Sequence, residues 1–292
     1  MKHIKYILLS FVLFTVLGFM SNTAQEKTRY DAPQQLIVSD IKYGKYERNV
    51  MDVYLPANRG PQSAFVINIH GGAWVKGDRK QDDSFCKYLL SKGIAVANVN
   101  YRYANHADTH LPQLLDDIRA VETYLVAHAD EWSTRSKGFS ISGASSGAHV
   151  AMMYAYTKSA DIKSIVERCG PTDFSDTGTL EKAKAAELTD LIDQMSGNTV
   201  PWKPGDAVPA VYVQTSPVQH IRNIPLLLIH GDADEVVPVR QAHILDEALT
   251  QKQIAHKLVI VPGAGHQIGE LPSDMNTVVS TAADWFLQYG IN

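Results

Sequence analysis

The sequence predicts an α/β domain built on a mostly parallel, doubly wound sheet of eight strands. Two β-rich segments, residues 36–43 and 50–55, open the domain and are joined by a short polar connection typical of a hairpin. After them, short apolar segments alternate with helical patterns through most of the chain. Because a pair of parallel strands needs a crossover connection, usually a helix, this alternation indicates parallel pairing.

The first half of the domain contains three further strands and two helices. Residues 64–69 and 94–99 are short, mostly apolar runs, which suits strands that are covered on both faces. Between them, residues 80–91 form a helical pattern that ends before a glycine. The apolar residues of 111–129 recur at the spacing of a helix. Residues 139–142 then form a short strand that runs directly into an alanine-rich helix start.

The alternation is interrupted after the sixth predicted strand, residues 162–166. Residues 174–224 contain one amphipathic helical pattern, near 188–195, followed by a Pro-rich irregular stretch. A long insertion with its own helix is typical of a lid or a substrate wall, so we expect a helical insertion (lid or cap) after the sixth strand. The remaining predicted elements are strands at 225–229 and 256–261 and helices at 238–250 and 276–287.

The first 24 residues have the pattern of a signal peptide. Two lysines precede an apolar run over residues 7–20, and the small residue Ala24 stands at the expected cleavage site. Because this apolar run is too short to span a bilayer comfortably, we expect cleavage and export to the periplasm or the extracellular space. No stable membrane association is expected after cleavage. The remaining residues, 25–292, are enough for one large α/β domain.

Composition argues against several classes of partner. The formal net charge is -4 at pH 7 and basic residues are not clustered, so nucleic acid is not an expected partner. The chain has two cysteines, Cys86 and Cys169, whose spacing does not indicate a disulfide. We expect both to be buried apolar residues.

Residues 143–147 form a G-x-S-x-G motif between a predicted strand and a predicted helix. Small residues two positions before and after Ser145 are required because a Cβ there would collide with neighbouring backbone. Such a turn lifts the Ser145 hydroxyl out of the sheet, and the N–H groups at the start of the helix can stabilise developing negative charge. The motif predicts a nucleophile elbow, with an ordinary small-residue turn as the alternative.

An H-G-G-A-W loop at residues 70–74 follows the predicted strand 64–69 directly. Its small residues let the backbone approach a ligand closely, so that N–H groups can point at an anionic oxygen. We predict an oxyanion hole formed by the N–H groups of Gly72, Ala73 and Ser146. The alternative is an ordinary glycine turn.

An acid and a histidine follow the last two predicted strands. Asp234 comes after strand 225–229, at the sheet edge where open α/β sheets bind ligands, and we predict that it orients the base. Asp232 is the alternative, although a short acid in a turn more often caps backbone N–H groups. His266 lies on a small-residue loop after strand 256–261 and is the predicted base. The order Ser145, Asp234, His266 is that of the α/β-hydrolase triad.

Other histidines are weaker candidates. We expect His149 to pack beneath the elbow. His106 and His110, with Asp108 between them, have a spacing that a metal pair can adopt, but spacing in a polar loop is thin support for a metal site. The predicted chemistry requires no metal and no organic cofactor.

With these motifs in place, the chain resembles the α/β-hydrolase superfamily. Within it, the chain is most similar to small bacterial esterases of the hormone-sensitive-lipase-like and feruloyl/acetyl-xylan esterase (BD-FAE-like) group, over about residues 36–290. Two departures stand out: Ala73 replaces a third glycine of many lipase-like loops, and S-G-A follows the nucleophile where A-G-G is common. Further matching segments are M-D-V-Y-L-P at 51–56, G-D-R at 77–79, N-Y-R at 100–102, L-P at 111–112, D-D-I-R-A at 116–120 and S-P at 216–217.

The resemblance implies a serine carboxylesterase that hydrolyses small acyl or aryl esters through an acyl-enzyme. The expected substrate is a small-molecule ester or an esterified polysaccharide bearing acetyl or feruloyl groups. Three alternatives remain open: a prolyl-oligopeptidase-like peptidase, which shares the Asp234 segment; an arylformamidase, which shares the H-G-G-x-W loop; and, as a minor alternative, a non-catalytic binding module.

Overall fold

The computed structural model describes residues 34–268 and 272–291 of the chain. The predicted signal peptide, residues 1–24, lies outside the described residues, and its cleavage and the export of the protein stay predictions. In the described part of the chain, no helix combines the length and the apolar character needed to cross a bilayer.

The described residues form eight strands and nine α-helices. The strands are β1 (Leu36–Lys42), β2 (Val50–Leu55), β3 (Phe65–Ile69), β4 (Ala95–Val99), β5 (Ser140–Ala144), β6 (Ile165–Arg168), β7 (Leu226–Gly231) and β8 (His256–Val261). The helices are α1 (Asp83–Ser91), α2 (Leu111–Ala127), α3 (Ala129–Trp132), α4 (Ser146–Thr157), α5 (Thr177–Ala185), α6 (Thr189–Ser196), α7 (Ala210–Gln214), α8 (Arg240–Gln251) and α9 (Pro272–Tyr289). Short 3₁₀ helices occupy Arg79–Asp82 and Pro217–His220.

The eight strands form one sheet in the order β1-β2-β4-β3-β5-β6-β7-β8. β2 pairs antiparallel with both β1 and β4, and every other pair is parallel. This confirms the predicted mostly parallel, doubly wound sheet. Because β3 to β8 are parallel, the carboxyl ends of β3, β5, β7 and β8 all face the same edge. The direction in which strands are added reverses between β3 and β5, and ligands bind at such a point in open α/β sheets.

Helices cover both faces of the sheet. Successive strand residues point to opposite faces, so Ile67 and Leu226 pack in a core with α2, α4 and α8. Val66 and Leu227 pack on the other face with α1 and α9. All of these strand residues are fully buried, as the continuous apolar runs predict.

The segment between β6 and β7 differs from its prediction. The single predicted helix near 188–195 is α6, but α5 and α7 also form there, so the expectation of one helix was wrong. Only Thr179 and Leu180 of α5 are buried, which is why it shows almost no apolar periodicity. The signal that identifies α5 is its N-cap: the Asp176 carboxylate accepts a hydrogen bond from the Thr179 N–H at 3.0 Å. A role of this insertion as a lid stays a prediction.

Other boundaries moved by a few residues. β6 begins at Ile165 rather than at residue 162, and the helix predicted over 111–129 ends at Ala127 before the separate short helix α3. Cys86 and Cys169 are both buried, as expected, and they do not pair with each other.

Candidate active site

Ser145 occupies a strained turn between β5 and α4. Its φ of 54° and ψ of -124° lie outside the regions that ordinary residues favour. A Cβ on Gly143 would lie 2.3 Å from the Gly147 carbonyl group, and a Cβ on Gly147 would lie 2.2 Å from the Ile69 carbonyl oxygen. Both glycines are therefore required by close backbone contact, as the motif predicts.

Three side chains meet at this turn. The Ser145 Oγ lies 2.9 Å from His266 Nε2, and His266 Nδ1 lies 2.7 Å from Asp234 Oδ2. Because a carboxylate only accepts hydrogen bonds, Nδ1 carries the proton and Nε2 is free to accept the serine proton. The structure thus brings together the three residues predicted for the triad, in the geometry of a nucleophile, a base and an orienting acid.

The Asp234 carboxylate is held ionised. Its side chain is fully buried, and its Oδ1 accepts hydrogen bonds from the N–H groups of Val236 and Val237, both at 2.9 Å. Burial by itself would raise the pKa of Asp234, but hydrogen bonds from His230 and His266 hold it well below its usual value. A buried negative charge is thus fixed behind the His266 ring.

Asp232 has a different partner. Its carboxylate accepts a hydrogen bond from the Gly263 N–H at 2.6 Å. Asp232 is therefore a backbone cap, as its sequence context favours, but the backbone that it caps belongs to the neighbouring loop after β8. It joins the two loops that carry Asp234 and His266.

The H-G-G-A-W loop adopts an unusual backbone conformation. Gly72, Ala73 and Trp74 have φ values of 123°, 51° and 65°. A Cβ on Gly72 would lie 2.1 Å from the Lys76 carbonyl oxygen, so glycine is required there. Ala73 and Ser146 line the same cavity as Ser145. Strained, positive-φ residues cluster at functional sites, and the roles of Gly72, Ala73 and Ser146 as oxyanion donors stay a prediction.

Arg48 and His70 support this loop. His70 belongs to the H-G-G-A-W motif, but the sequence predicted no role for it and did not single out Arg48. Arg48 Nη2 lies 3.2 Å from His70 Nε2 and 3.1 Å from the Gly77 carbonyl oxygen, while its guanidinium stacks over Tyr103 at 3.8 Å. Burial lowers the pKa of His70 to about 4, so the ring is neutral: Nδ1–H donates to the Gly71 carbonyl at 2.6 Å, and Nε2 accepts from Arg48. No local pattern marks Arg48, because its hairpin meets the loop only in the folded chain.

His149 packs beneath the elbow, as expected. Its ring is fully buried, and burial lowers its pKa to about 4. Nδ1 lies 3.2 Å from the Trp74 indole nitrogen and therefore accepts its hydrogen bond, while Nε2–H donates to the Thr215 carbonyl at 2.8 Å. His149 thus joins the H-G-G-A-W loop to the end of the insertion.

His106 and His110, whose spacing a metal pair can adopt, contact the insertion instead. His106 Nε2 lies 3.1 Å from Asp190 Oδ1, and His110 Nδ1 lies 2.8 Å from the Gln194 carbonyl oxygen. Both partners belong to α6. These contacts join the loop before α2 to the insertion and give no support to a metal site there.

One group among the described residues places three potential metal ligands within 4.8 Å of one another: Cys169, His230 and Asp234. Burial raises the pKa of the Cys169 thiol, which keeps it protonated and a poor metal ligand. The Asp234 oxygens already accept hydrogen bonds from protein donors. We therefore assign no metal to this group.

An apolar cavity opens beside Ser145, with an empty volume of about 570 Å³ that includes its open mouth. Its walls combine Trp74 of the H-G-G-A-W loop, Val236 of the Asp234 loop, and Leu188, Leu191 and Ile192 of the insertion. No charged side chain among the described residues lines it. The cavity suits an apolar group attached to a carbonyl at Ser145.

The BD-FAE family model matches residues 51–249, more than half of the chain. Esterase LipC from Mycobacterium tuberculosis is 26% identical over 249 residues, which cover 77% of this chain and 58% of that protein. The chain thus spans less than two thirds of the length of this relative.

Two solved structures extend the comparison. Esterase B from Lactobacillus rhamnosis has a TM-score of 0.71 and 20% identity over 89% of this chain and 91% of that chain, a likeness of fold. A bifunctional GH43-CE protein from Bacteroides eggerthii has a TM-score of 0.69 and 26% identity over 86% of this chain and 38% of that chain.

Proposed function

The chain belongs to the BD-FAE family of α/β-hydrolases, and from that premise we propose that it is a serine carboxylesterase that hydrolyses small acyl or aryl esters. The observation that carries this proposal is the line of hydrogen bonds from Asp234 through His266 to Ser145, which ends at the mouth of an apolar cavity. The similarity to proteins named as esterases supports it.

The proposed reaction has two steps. The Ser145 oxygen attacks the ester carbonyl carbon while His266 Nε2 takes the hydroxyl proton, and the N–H groups of Gly72, Ala73 and Ser146 stabilise the oxyanion. When the carbon–oxygen bond to the alcohol breaks, His266 returns the proton to the departing alcohol. Water then attacks the acyl-enzyme by the same route and releases the acid.

Asp234 serves this reaction through charge and orientation. Its ionised carboxylate keeps the proton of neutral His266 on Nδ1, which leaves Nε2 free to act as the base. The same negative charge stabilises the imidazolium that forms when Ser145 attacks. Because the carboxylate is buried, its attraction for the imidazolium is only weakly screened by water.

The cavity supports a substrate with an apolar acyl or aryl group. We propose small-molecule esters, or acetyl or feruloyl groups on polysaccharide, as the natural substrates. The similarity to the GH43-CE protein supports the carbohydrate part of this proposal. Export by the predicted signal peptide would bring the enzyme to such polysaccharides in the periplasm or outside the cell.

The test is hydrolysis of p-nitrophenyl acetate, butyrate and octanoate by the wild type, Ser145→Ala and Ser91→Ala. Ser91 is the matched control, since its exposed hydroxyl only bonds the Tyr88 carbonyl at the end of α1. We expect turnover by the wild type and Ser91→Ala, and a loss of at least about 10³-fold in Ser145→Ala.

Equal rates for the wild type and Ser145→Ala on all three esters would overturn the proposal. Peptide p-nitroanilides and aryl formamides would then test the peptidase and formamidase alternatives. Binding without turnover on any of these substrates would favour the non-catalytic module.

A further inference from the structure

We propose that His230 is a positioning residue for the triad: it holds the Asp234 carboxylate in the place from which that carboxylate orients His266. This proposal rests on the proposed function, since it concerns the same Ser145–His266 pair. No sequence pattern indicated His230, which stands next to the end of β7.

The contacts of His230 define its role. Its Nε2 lies 2.8 Å from the Val237 carbonyl oxygen and 3.3 Å from Asp234 Oδ2. Because a carbonyl oxygen only accepts hydrogen bonds, Nε2 carries a proton that it donates to Val237, and Asp234 Oδ2 lies beside the same N–H group. The side chains of His230 and Asp234 are both fully buried, so water does not compete for these contacts.

These contacts fix the turn that carries the acid. The Val237 N–H donates to Asp234 Oδ1, and the Val237 carbonyl accepts from His230. Val237 is therefore held through its N–H by Asp234 and through its carbonyl by His230. A carboxylate fixed in this way keeps the His266 ring oriented toward Ser145. A displacement of about 1 Å between such reacting groups lowers the rate on the order of 100-fold.

The surroundings of His230 favour its charged form. Facing it are Asp234 on its own loop, Cys169 and Glu167 on the β6 side, and His266 across the Asp234 carboxylate. Burial by itself lowers the pKa of His230, but the hydrogen bond to Asp234 and the charge of Glu167 raise it above its usual value. Burial keeps the Cys169 thiol neutral, so it adds no charge.

Glu167 and His230 also have complementary buried atoms. Glu167 lies opposite Leu228 in the β6–β7 register, two residues before His230 on the same face of the sheet. Glu167 Oε1 and His230 Nδ1 are both buried and have no hydrogen-bond partner among the described residues. In its ionised form, Glu167 therefore favours protonated His230, in which Nε2 always carries a hydrogen.

His230 and His266 contact the same oxygen of Asp234. His230 Nε2 lies 3.3 Å from Asp234 Oδ2, and His266 Nδ1 lies 2.7 Å from it. His230 therefore holds the oxygen that accepts the hydrogen bond of His266, and through it the orientation of the His266 ring.

The test is the rate at which a fluorophosphonate labels Ser145, measured together with kcat and KM for p-nitrophenyl butyrate. His230→Gln keeps an amide donor near the position of Nε2, so we expect its labelling rate and its kcat to stay within about tenfold of the wild type. His243→Gln, the same change at an exposed position on α8, should leave the labelling rate and both constants unchanged.

A second variant removes the donor. In His230→Leu, kcat and the labelling rate should fall by at least about 30-fold while KM stays within about threefold, because the Asp234 carboxylate is no longer held and the cavity is kept. Titration of the active sites with the fluorophosphonate gives the fraction of active protein, so partial misfolding of a variant does not obscure kcat. If His230→Leu does not fold, His230→Ala removes the same donor with a smaller side chain.

A kcat and a labelling rate of His230→Leu within threefold of the wild type would overturn the proposal. So would a folded His230→Gln that is labelled as slowly as His230→Leu. A wild type that is labelled but hydrolyses no ester would instead overturn the proposed function and leave this measurement valid. A wild type that is not labelled would overturn both.

Discussion

Gly147→Ala should disable the site, although it adds only one methyl group to a residue outside the triad. The new Cβ would lie 2.2 Å from the Ile69 carbonyl oxygen and 2.4 Å from that of His70. Ordinary carbon–oxygen contacts are near 3.3 Å, so the two backbones must separate by about 1 Å. Ile69 ends β3, which is paired on both sides by β4 and β5, and it is therefore the start of α4 that moves.

The start of α4 carries the groups that the reaction uses. A shift of about 1 Å there moves Ser145 and the Ser146 N–H relative to His266, which costs on the order of 100-fold in rate. Forcing a methyl group into this packed contact costs about 1 to 3 kcal/mol of folding free energy. In a domain of this size that corresponds to a fall in Tm of roughly 2 to 10 °C.

The assay compares kcat/KM for p-nitrophenyl butyrate with the thermal unfolding transition followed by circular dichroism. Gly265→Ala is the matched control, because it lies beside His266 yet a Cβ there meets nothing within 4 Å. We expect it to stay within about threefold of the wild type. A Gly147→Ala protein with kcat/KM within threefold and an unchanged Tm would refute the steric reasoning.

Two further predictions follow from the buried acids. Asp234→Asn should lower kcat by about 10⁴-fold, because an amide no longer holds the proton on His266 Nδ1. In Asp232→Asn, kcat should stay within about threefold of the wild type, since an amide oxygen still accepts the hydrogen bond from the Gly263 N–H. Equal losses of kcat in the two variants would contradict these roles. Burial raises the pKa of Glu167 from 4.5 to about 7, so the folded protein holds this proton more tightly than the unfolded chain. The stability from this group is therefore complete below about pH 4.5 and declines by up to roughly 3 kcal/mol as the pH rises through 7. Glu167→Gln does not titrate and so does not lose this stability. The Tm of the variant minus the Tm of the wild type should therefore increase between pH 4.5 and pH 8. A difference in Tm that is the same at every pH would show that Glu167 does not titrate in this way.

The sequence predicted those features that depend only on residues close together in the chain. A strand covered on both faces must be apolar throughout, which is why residues 64–69 and 94–99 identified the central strands. The glycines around Ser145 were predictable because the turn itself excludes a Cβ. The prediction of a single helix in the insertion was wrong because α5 buries little of its surface. A helix that is mostly exposed needs no regular spacing of apolar residues, so its sequence shows none.

What the sequence by itself determined is the type and order of the elements, the elbow, and the succession of Ser145, Asp234 and His266 after three strands. These features depend on the spacing of apolar residues, on the positions of glycines and on the rule that the carboxyl ends of parallel strands lie at one edge of the sheet. Only the tertiary structure decided which side chains meet at that edge, since strand register and loop closure join residues far apart in the chain. The contact of Arg48 with His70 and the electrostatic interaction of Glu167 with His230 depend on such closure, because water screens charges only weakly between buried groups.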